Sequence, residues 1–457
     1  MKYIEKEDMK DVGNVKRVLE WLSMDIEFIK EYHDDPIAAL ERIGSPLKPE
    51  DIEFLPQEGE LLGKMQARHP GTVAEKYADF VNKKLDGREQ MKLDCAPTNE
   101  SMNKWRERQI GRCNMELGAR VVGLIQSAFT LEMADGCSVG CEFCGLNAGR
   151  LKSVYKYTDE NSKLFRDVLN YMKETLGELA AGQATMYFAS EPLDNPDYGK
   201  FLADFIDIYG KIPQITTAAA MRHKDMLHKL LTQLNENGGT IYRFSVLSLD
   251  MFKQIVEEFT PEELTLVELL PQFEGAPNNH FAKVGREADK VEEYDNTISC
   301  LSGFVVNMAR KEVRLTTPTG ASPEHPTGEI ILYKGNFTDI ESFEEVITHC
   351  IKTYMSNILG PKERVRLREG IRLEYKDGKR VITSGKGLDY ELAVSASDNV
   401  DICGILFNIL SNGYNTRREI AKKVHEGVNG VIRPEMLFHI INKFWKMGIL
   451  ETESGAI

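Results

Sequence analysis

Apolar residues recur at helical spacing from the start of the chain: Val15, Val18, Leu19, Leu22, Ile26 and Ile29 fall on one face and predict a single amphipathic helix. A second helix is expected from Asp35-Pro36, a cap residue followed by proline at the first helical position, to about Gly44. Residues 80–119 are polar and rich in both charges, with Trp105, Arg106 and Arg108 on a helix, and read as a connecting element. From about residue 120 the pattern alternates. Apolar, β-prone runs at Phe129–Met133, Thr185–Ala189, Gln214–Ala218, Ile241–Val246, Leu264–Leu270 and Phe304–Met308 are separated mostly by helical patterns, as at Ser162–Leu179, Tyr198–Tyr209 and His223–Leu234.

Strand and helix alternation implies a parallel sheet with right-handed crossovers, closed or partly closed as a (β/α) barrel, with its chemistry at the C-terminal strand ends. Beyond it, two β-prone runs flank Ala309–Glu312 and predict a hairpin within Thr297–Pro318. After a charged connector, Lys362–Glu369, a hairpin turning at Asp377-Gly378 precedes three helices: Asn399–Leu410, Thr416–His425 with Thr416 and Glu419 as a capping box, and Pro434–Met447. The expected organisation is therefore a helical region 1–119, an α/β partial barrel 120–300, a hairpin extension 301–361 and an α+β winged-helix-like unit 362–457. A winged helix raises DNA binding as a function, and Arg417, Arg418, Lys422 and Lys423 lie on its presumed second helix.

Composition narrows the options. The 457 residues suffice for two or three domains, and a formal charge of −14 argues against general affinity for nucleic acid or anionic membranes. No apolar run reaches transmembrane length and the N-terminus lacks a signal-peptide core, so a cytoplasmic location is expected and the eight cysteines are read as thiols or metal ligands. Cys95 and Cys113 read as incidental thiols, and Cys350 and Cys403 as core.

Three cysteines stand apart: Cys137, Cys141 and Cys144 lie within eight residues, spaced Cys-x3-Cys-x2-Cys, just after the first strand and its Ala134-Asp135-Gly136 turn. This spacing lets three thiolates from one loop converge on one metal centre. Zinc would need a fourth ligand, and the next histidine is His223 and the next cysteine Cys300. Three ligands leave one position open, which suits an iron–sulfur cube that binds a co-substrate.

The loop, with Phe143 directly before its last cysteine, resembles that of the radical SAM superfamily, in which the three cysteines hold a 4Fe-4S cluster whose fourth iron binds S-adenosylmethionine. The resemblance implies a partial (β/α) barrel of that type. Ser190-Glu191-Pro192 resembles the superfamily's Gly-Gly-Glu-Pro turn, which receives the methionine amino group, although Ala189 and Ser190 replace the glycines. Thr217 and Ser245, at the ends of the next two strands, are candidates to hydrogen-bond the co-substrate's ribose or carboxylate.

The Thr297–Pro318 hairpin is similar to the cluster-binding extension of peptide-modifying radical SAM enzymes, with Cys300, Gly303, Gly335 and Asn336 matching. Thr316, Thr317 and Pro318 stand where a second cysteine would. One cysteine cannot hold a cluster, so Cys300 is expected as a free thiol aimed at the barrel mouth and able to donate a hydrogen atom. The combination resembles the radical SAM peptide epimerases, which convert L- to D-residues in ribosomally made peptides by Cα hydrogen abstraction and return of hydrogen from a cysteine. That resemblance implies a precursor peptide as partner, a low-potential donor such as flavodoxin or ferredoxin, and leader recognition by residues 362–457 through strand addition. The 35–51 segment is similar to helical leader regions, or is an ordinary helical pair. Thioether-forming or methylating relatives, and an iron–sulfur DNA-binding regulator, are the alternatives.

Overall fold

The computed structural model describes residues 2–57, 63–121, 123–279, 284–286, 297, 299–386, 388–392, 401–427 and 433–453. Ile298, within the expected hairpin stretch, and Asn399, the expected start of a C-terminal helix, lie outside them.

The expected N-terminal helix is two helices, Met9–Met24 and Ile26–Asp34. Asp25 is extended between them, and its carboxylate accepts from the N–H groups of Glu27 (2.9 Å) and Phe28 (3.3 Å), so a side chain capable of capping ends one helix and starts the next. Ile26 consequently leaves the apolar face and is 48% exposed. Pro36–Arg42 forms the next helix as expected. The 80–119 stretch is not a connector. It belongs to helices Val73–Asp94 and Glu100–Leu117, and Trp105 is fully buried. The apolar stripe is masked because the second helix buries arginines: Arg106 donates to the carbonyls of Gln126 and Ile125, and Arg112 to Gln109, Glu116, Thr317 and Pro318.

The parallel strands fall in two separate sheets. Ser127–Glu132 pairs in parallel with Leu301–Asn307, and Thr216–Thr217, Tyr242–Val246 and Val267–Pro271 form a second parallel set. Between the two sets, Thr185–Ala189 makes a single parallel bridge, Thr130 to Thr185, in place of the expected strand. Side chains occupy its backbone: the Thr130 hydroxyl donates to the carbonyls of Thr185 and Tyr187, and Ala189 N–H goes to Glu132. Helices Asp159–Leu176, Tyr198–Tyr209 and Lys224–Asn237 follow the expected positions and cover the sheets.

The last expected barrel strand changes place. Leu301–Asn307 lies outside the first strand, and it continues antiparallel into Glu312–Pro318 and Glu329–Asn336. The architecture is mixed α/β, and among the described residues the sheets do not close into a barrel.

Two large apolar clusters result, beside a small one of Cys113, Leu117 and Val121. One spans Tyr3 to Met355, so the N-terminal helices share a core with the sheets. The other joins Met115 to residues between Leu359 and Leu450. The Glu100–Leu117 helix serves both, with Trp105 in the first and Met115 in the second, and Arg108 stacks over Trp445 at 4.4 Å. In the second unit, Arg372–Lys376, Lys379–Thr383 and Asp389–Leu392 form an antiparallel sheet turning at Asp377-Gly378, both at positive φ. Helices Ile402–Ser411, Arg417–Gly427 and Pro434–Lys446 complete it, and Thr416 and Glu419 make the reciprocal capping bonds. Among the described residues no helix is long and apolar enough to cross a membrane.

Candidate functional site: a cysteine-lined lumen

The parallel strands surround a cavity of about 980 Å3. Cys137, Cys141, Cys144 and Phe143 line it at the C-terminal strand ends, together with Ser190, Glu191 and Ser245. The cysteine loop follows the first strand directly and is shaped by backbone: Cys137 N–H donates to Gly149 O (2.9 Å), and Cys144 N–H to Cys141 O (3.3 Å). Gly136 sits at φ +90°, where a Cβ would stand 2.2 Å from the Arg150 carbonyl oxygen.

Burial pushes the Cys141 thiol up to about 11, and the neighbouring Cys137 and Cys144 charges add to the shift. Burial also raises Cys137, opposed by the N–H groups of Val139 and Gly140. Ala148 N–H points at the Cys144 sulfur, 3.4 Å away. Among the described residues no three Cys, His, Asp or Glu side chains are drawn together as a ligand set. What unites the thiols here is the shared cavity and their mutual repulsion when ionised. That donor set fits an iron–sulfur group: three thiols on one loop, amide N–H groups on two sulfurs, and like charges that bound iron would neutralise.

Three residues that sequence patterning missed fix this loop. Arg286 donates to the carbonyl oxygens of Cys141 and Ala148, and its own N–H reaches Cys144 O at 3.1 Å. Asp194 accepts from the N–H of Ser138 at 2.8 Å and from its hydroxyl. Glu132, buried at the end of the first strand, accepts from Ala189 N–H (2.7 Å) and Asn307 Nδ2 (3.1 Å), crosslinking three neighbouring segments. A carboxylate inside an apolar strand was the available signal for Glu132; Arg286 and Asp194 lie in short turns outside any periodic pattern and gave none.

Glu191 is 3% exposed. Its carboxylate accepts from Thr217 Oγ1 (2.7 Å), Ala218 N–H (2.9 Å) and Leu193 N–H (3.2 Å), and burial raises its pKa despite those bonds. A carboxylate has about four acceptor positions, so these bonds leave one. Pro192 is buried at the start of a short helical turn, Pro192–Asp194, and does not line the cavity. Thr217 is also buried away from it; its hydroxyl is engaged with Glu191, so it positions that side chain and is not placed to meet a ligand.

Cys300 lines the same cavity, but at the other end. Its carbonyl accepts from Ser127 N–H at 3.2 Å, which places it at the start of the strand whose far end leads into the cysteine loop. The expectation of a thiol at the mouth is corrected by register: the first strand runs from Ser127 to Glu132, on the order of 17 Å at strand rise. The thiol is open to the lumen yet walled by protein, and burial raises its pKa against the pull of Arg243.

Fold and site together define a mixed α/β protein with a thiol-lined lumen. The chain is 34% identical over 393 residues to an uncharacterized protein, y4wI, of Sinorhizobium fredii (strain NBRC 101917 / NGR234), covering 82% of this chain and 76% of that one. It belongs to the same family as y4wI. No protein-family model matches the chain. Among solved structures it bears a loose likeness to BtrN in complex with AdoMet and 2-DOIA, with a TM-score of 0.34 and 15% identity, over 50% of this chain and 82% of that one.

Proposed function

We propose that this chain is a radical SAM enzyme acting on a peptide. The observation that carries the reading is the Cys137, Cys141 and Cys144 loop facing the same lumen as Ser190 and Glu191, with no fourth cysteine beside it. Bound there, a 4Fe-4S cluster and S-adenosylmethionine would supply a carbon-centred radical able to take hydrogen from an unactivated C–H bond. The chain's part is to hold and enclose. Arg286 and Asp194 brace the loop, Glu191 keeps one acceptor position toward an ammonium group, and Ser245 offers a hydroxyl from the strand wall. Reduced, anaerobically reconstituted protein should release 5′-deoxyadenosine from S-adenosylmethionine, and the same protein with all three cysteines replaced by alanine should not. Zinc in the parent protein, or no cleavage, would refute the reading.

The reaction we favour is inversion of a peptide Cα, one hydrogen atom leaving one face and the Cys300 thiol returning another to the opposite face. The electron that restores that thiol would come from an external low-potential donor, and the proton from solvent. Support comes from Cys300 being protonated, free and open to the lumen. Its place at the far strand end requires the target residue to move down the lumen between the two events. A peptide partner is further supported by the Arg372–Lys376 strand, paired on one side only, with Tyr375 68% exposed on it. In deuterated water the parent enzyme should place deuterium at inverted Cα positions, read by chiral amino-acid mass spectrometry. Undiminished inversion by Cys300→Ala would remove Cys300 from the mechanism.

A further inference from the structure

Beside Cys300, the end of the lumen remote from the cysteine loop carries two side chains that the proposed chemistry does not use, Arg243 and Tyr187. Arg243 and Ser245 alternate on one strand and so share its lumen face. Arg243 gives its Nε–H to Glu268 at 3.2 Å, and Lys84 gives a second bond to the same carboxylate at 2.8 Å. Burial alone would raise the Glu268 carboxyl, but Lys84 and Arg243 hold it down at about 2. Two cations and one anion leave a net positive charge. The Arg243 side chain is 41% exposed, and since it lines the cavity that surface faces the lumen.

Tyr187 stands beside it. Its oxygen accepts from Thr216 Oγ1 at 2.8 Å, and the Arg243 charge nearby opposes the rise that burial gives its pKa; with the oxygen accepting, the phenol's own proton is left to be given elsewhere. Burial raises the pKa of Tyr187 and of Cys300, so both keep their protons at neutral pH. The local surface is therefore a guanidinium, a phenol O–H and a thiol S–H, all donors, around accessible space. A donor-only, cationic patch inside a walled cavity is complementary to an acceptor-only, anionic ligand.

We propose that Arg243, Tyr187 and Cys300 form a binding site for an oxyanion, carboxylate or phosphate, at the lumen end opposite the cysteine loop. The nearby Asp94 carboxylate does not compete for Arg243: it takes Gln183 Nε2 at 3.0 Å and has Lys211 at 3.8 Å. The site stands apart from cofactor chemistry, since binding an anion needs no cluster.

The test uses full-length protein and the rate at which N-ethylmaleimide alkylates Cys300, followed by peptide mass mapping. Inorganic phosphate and succinate are the probes, one for each source of oxyanion. Protection by either supports the site and tells which source it prefers. Arg243→Gln paired with Glu268→Gln avoids leaving a buried carboxylate without its partner, and loss of a charge-assisted pair should weaken protection about tenfold. Tyr187→Phe keeps the ring and the charges and removes one donor, so it decides the matter if the double variant does not fold; it should weaken protection severalfold. If neither anion slows alkylation in the parent, or if both variants are protected as well as the parent, the site is refuted.

Discussion

Asp194 grips Ser138 twice, taking its backbone N–H at 2.8 Å and its hydroxyl, and in doing so fastens the turn after Glu191 to the loop between Cys137 and Cys141. Two stretches separated by 56 positions in the chain are thereby locked at one cavity wall. Asp194→Ala should cost about 1.5–3 kcal/mol, the scale of hydrogen bonds to a charged acceptor. The larger effect should fall on the loop: iron and sulfide bound per chain after reconstitution should drop well below the parent. Asp194→Asn, which keeps an acceptor, should retain more of both. Equal loading in all three proteins would mean that the loop holds its shape without this grip.

Glu132 makes a different kind of crosslink. It is buried, it bonds Ala189 and Asn307, and Arg314 and Arg310 lie 3.7 and 3.9 Å from it. Removing one member of such a buried network strands the others, so Glu132→Ala should lower the unfolding free energy by about 3 kcal/mol. Glu132→Gln keeps the shape and part of the bonding and should cost less. Urea denaturation of the three proteins, with unchanged slope, measures both losses.

The local features of the fold were readable because they rest on local chemistry. The Tyr198–Tyr209 helix, the Thr416–Glu419 capping box and the Asp377-Gly378 turn need only neighbouring residues. The cysteine loop was readable because its spacing has few other uses. Pairing was not. Nothing in the 301–307 run says that it sits beside 127–132 instead of at the far edge of the sheet, and that placement decides where Cys300 points. Thr185–Ala189 has the composition of a strand, yet Thr130 and Glu132 take over its backbone groups. The buried arginines of the Glu100–Leu117 helix disguised a packed element as a polar one, because a guanidinium that finds carbonyl partners can replace an apolar side chain.

Two glycines of the cysteine loop separate conformational strain from collision. Gly136 and Gly140 both have positive φ, +90° and +69°, but a Cβ at Gly136 would meet the Arg150 carbonyl at 2.2 Å whereas one at Gly140 has nothing within 4 Å. Gly140→Ala should therefore carry only the left-handed penalty, about 1–2 kcal/mol, and still bind iron. Gly136→Ala has to move backbone and should lose the loop's geometry, seen as failure to reconstitute. Normal reconstitution of Gly136→Ala would show that the contact with Arg150 is dispensable.

Cys95 and Cys113 give the protein a dependence on alkaline pH. Burial raises their thiols to about 11 and about 12, from an ordinary value of 9.0. A thiol whose pKa is higher folded than unfolded contributes stability that is intact below the unfolded value and is lost as pH climbs through the folded one. Above pH 9 the unfolded chain releases these protons first, so the unfolding free energy should fall between pH 9 and pH 11 by up to about 1.4 kcal/mol per pH unit for each thiol. Below pH 9 neither should contribute any slope. Cys95→Ala and Cys113→Ala should each flatten the alkaline limb while leaving the neutral range without added pH dependence, as measured by urea melts across the series. Both thiols should also resist alkylation in the native state at a pH where Cys300 reacts, since the thiolate is the nucleophile and only Cys300 of the three is open. An alkaline limb unchanged in both variants would show that other groups set it.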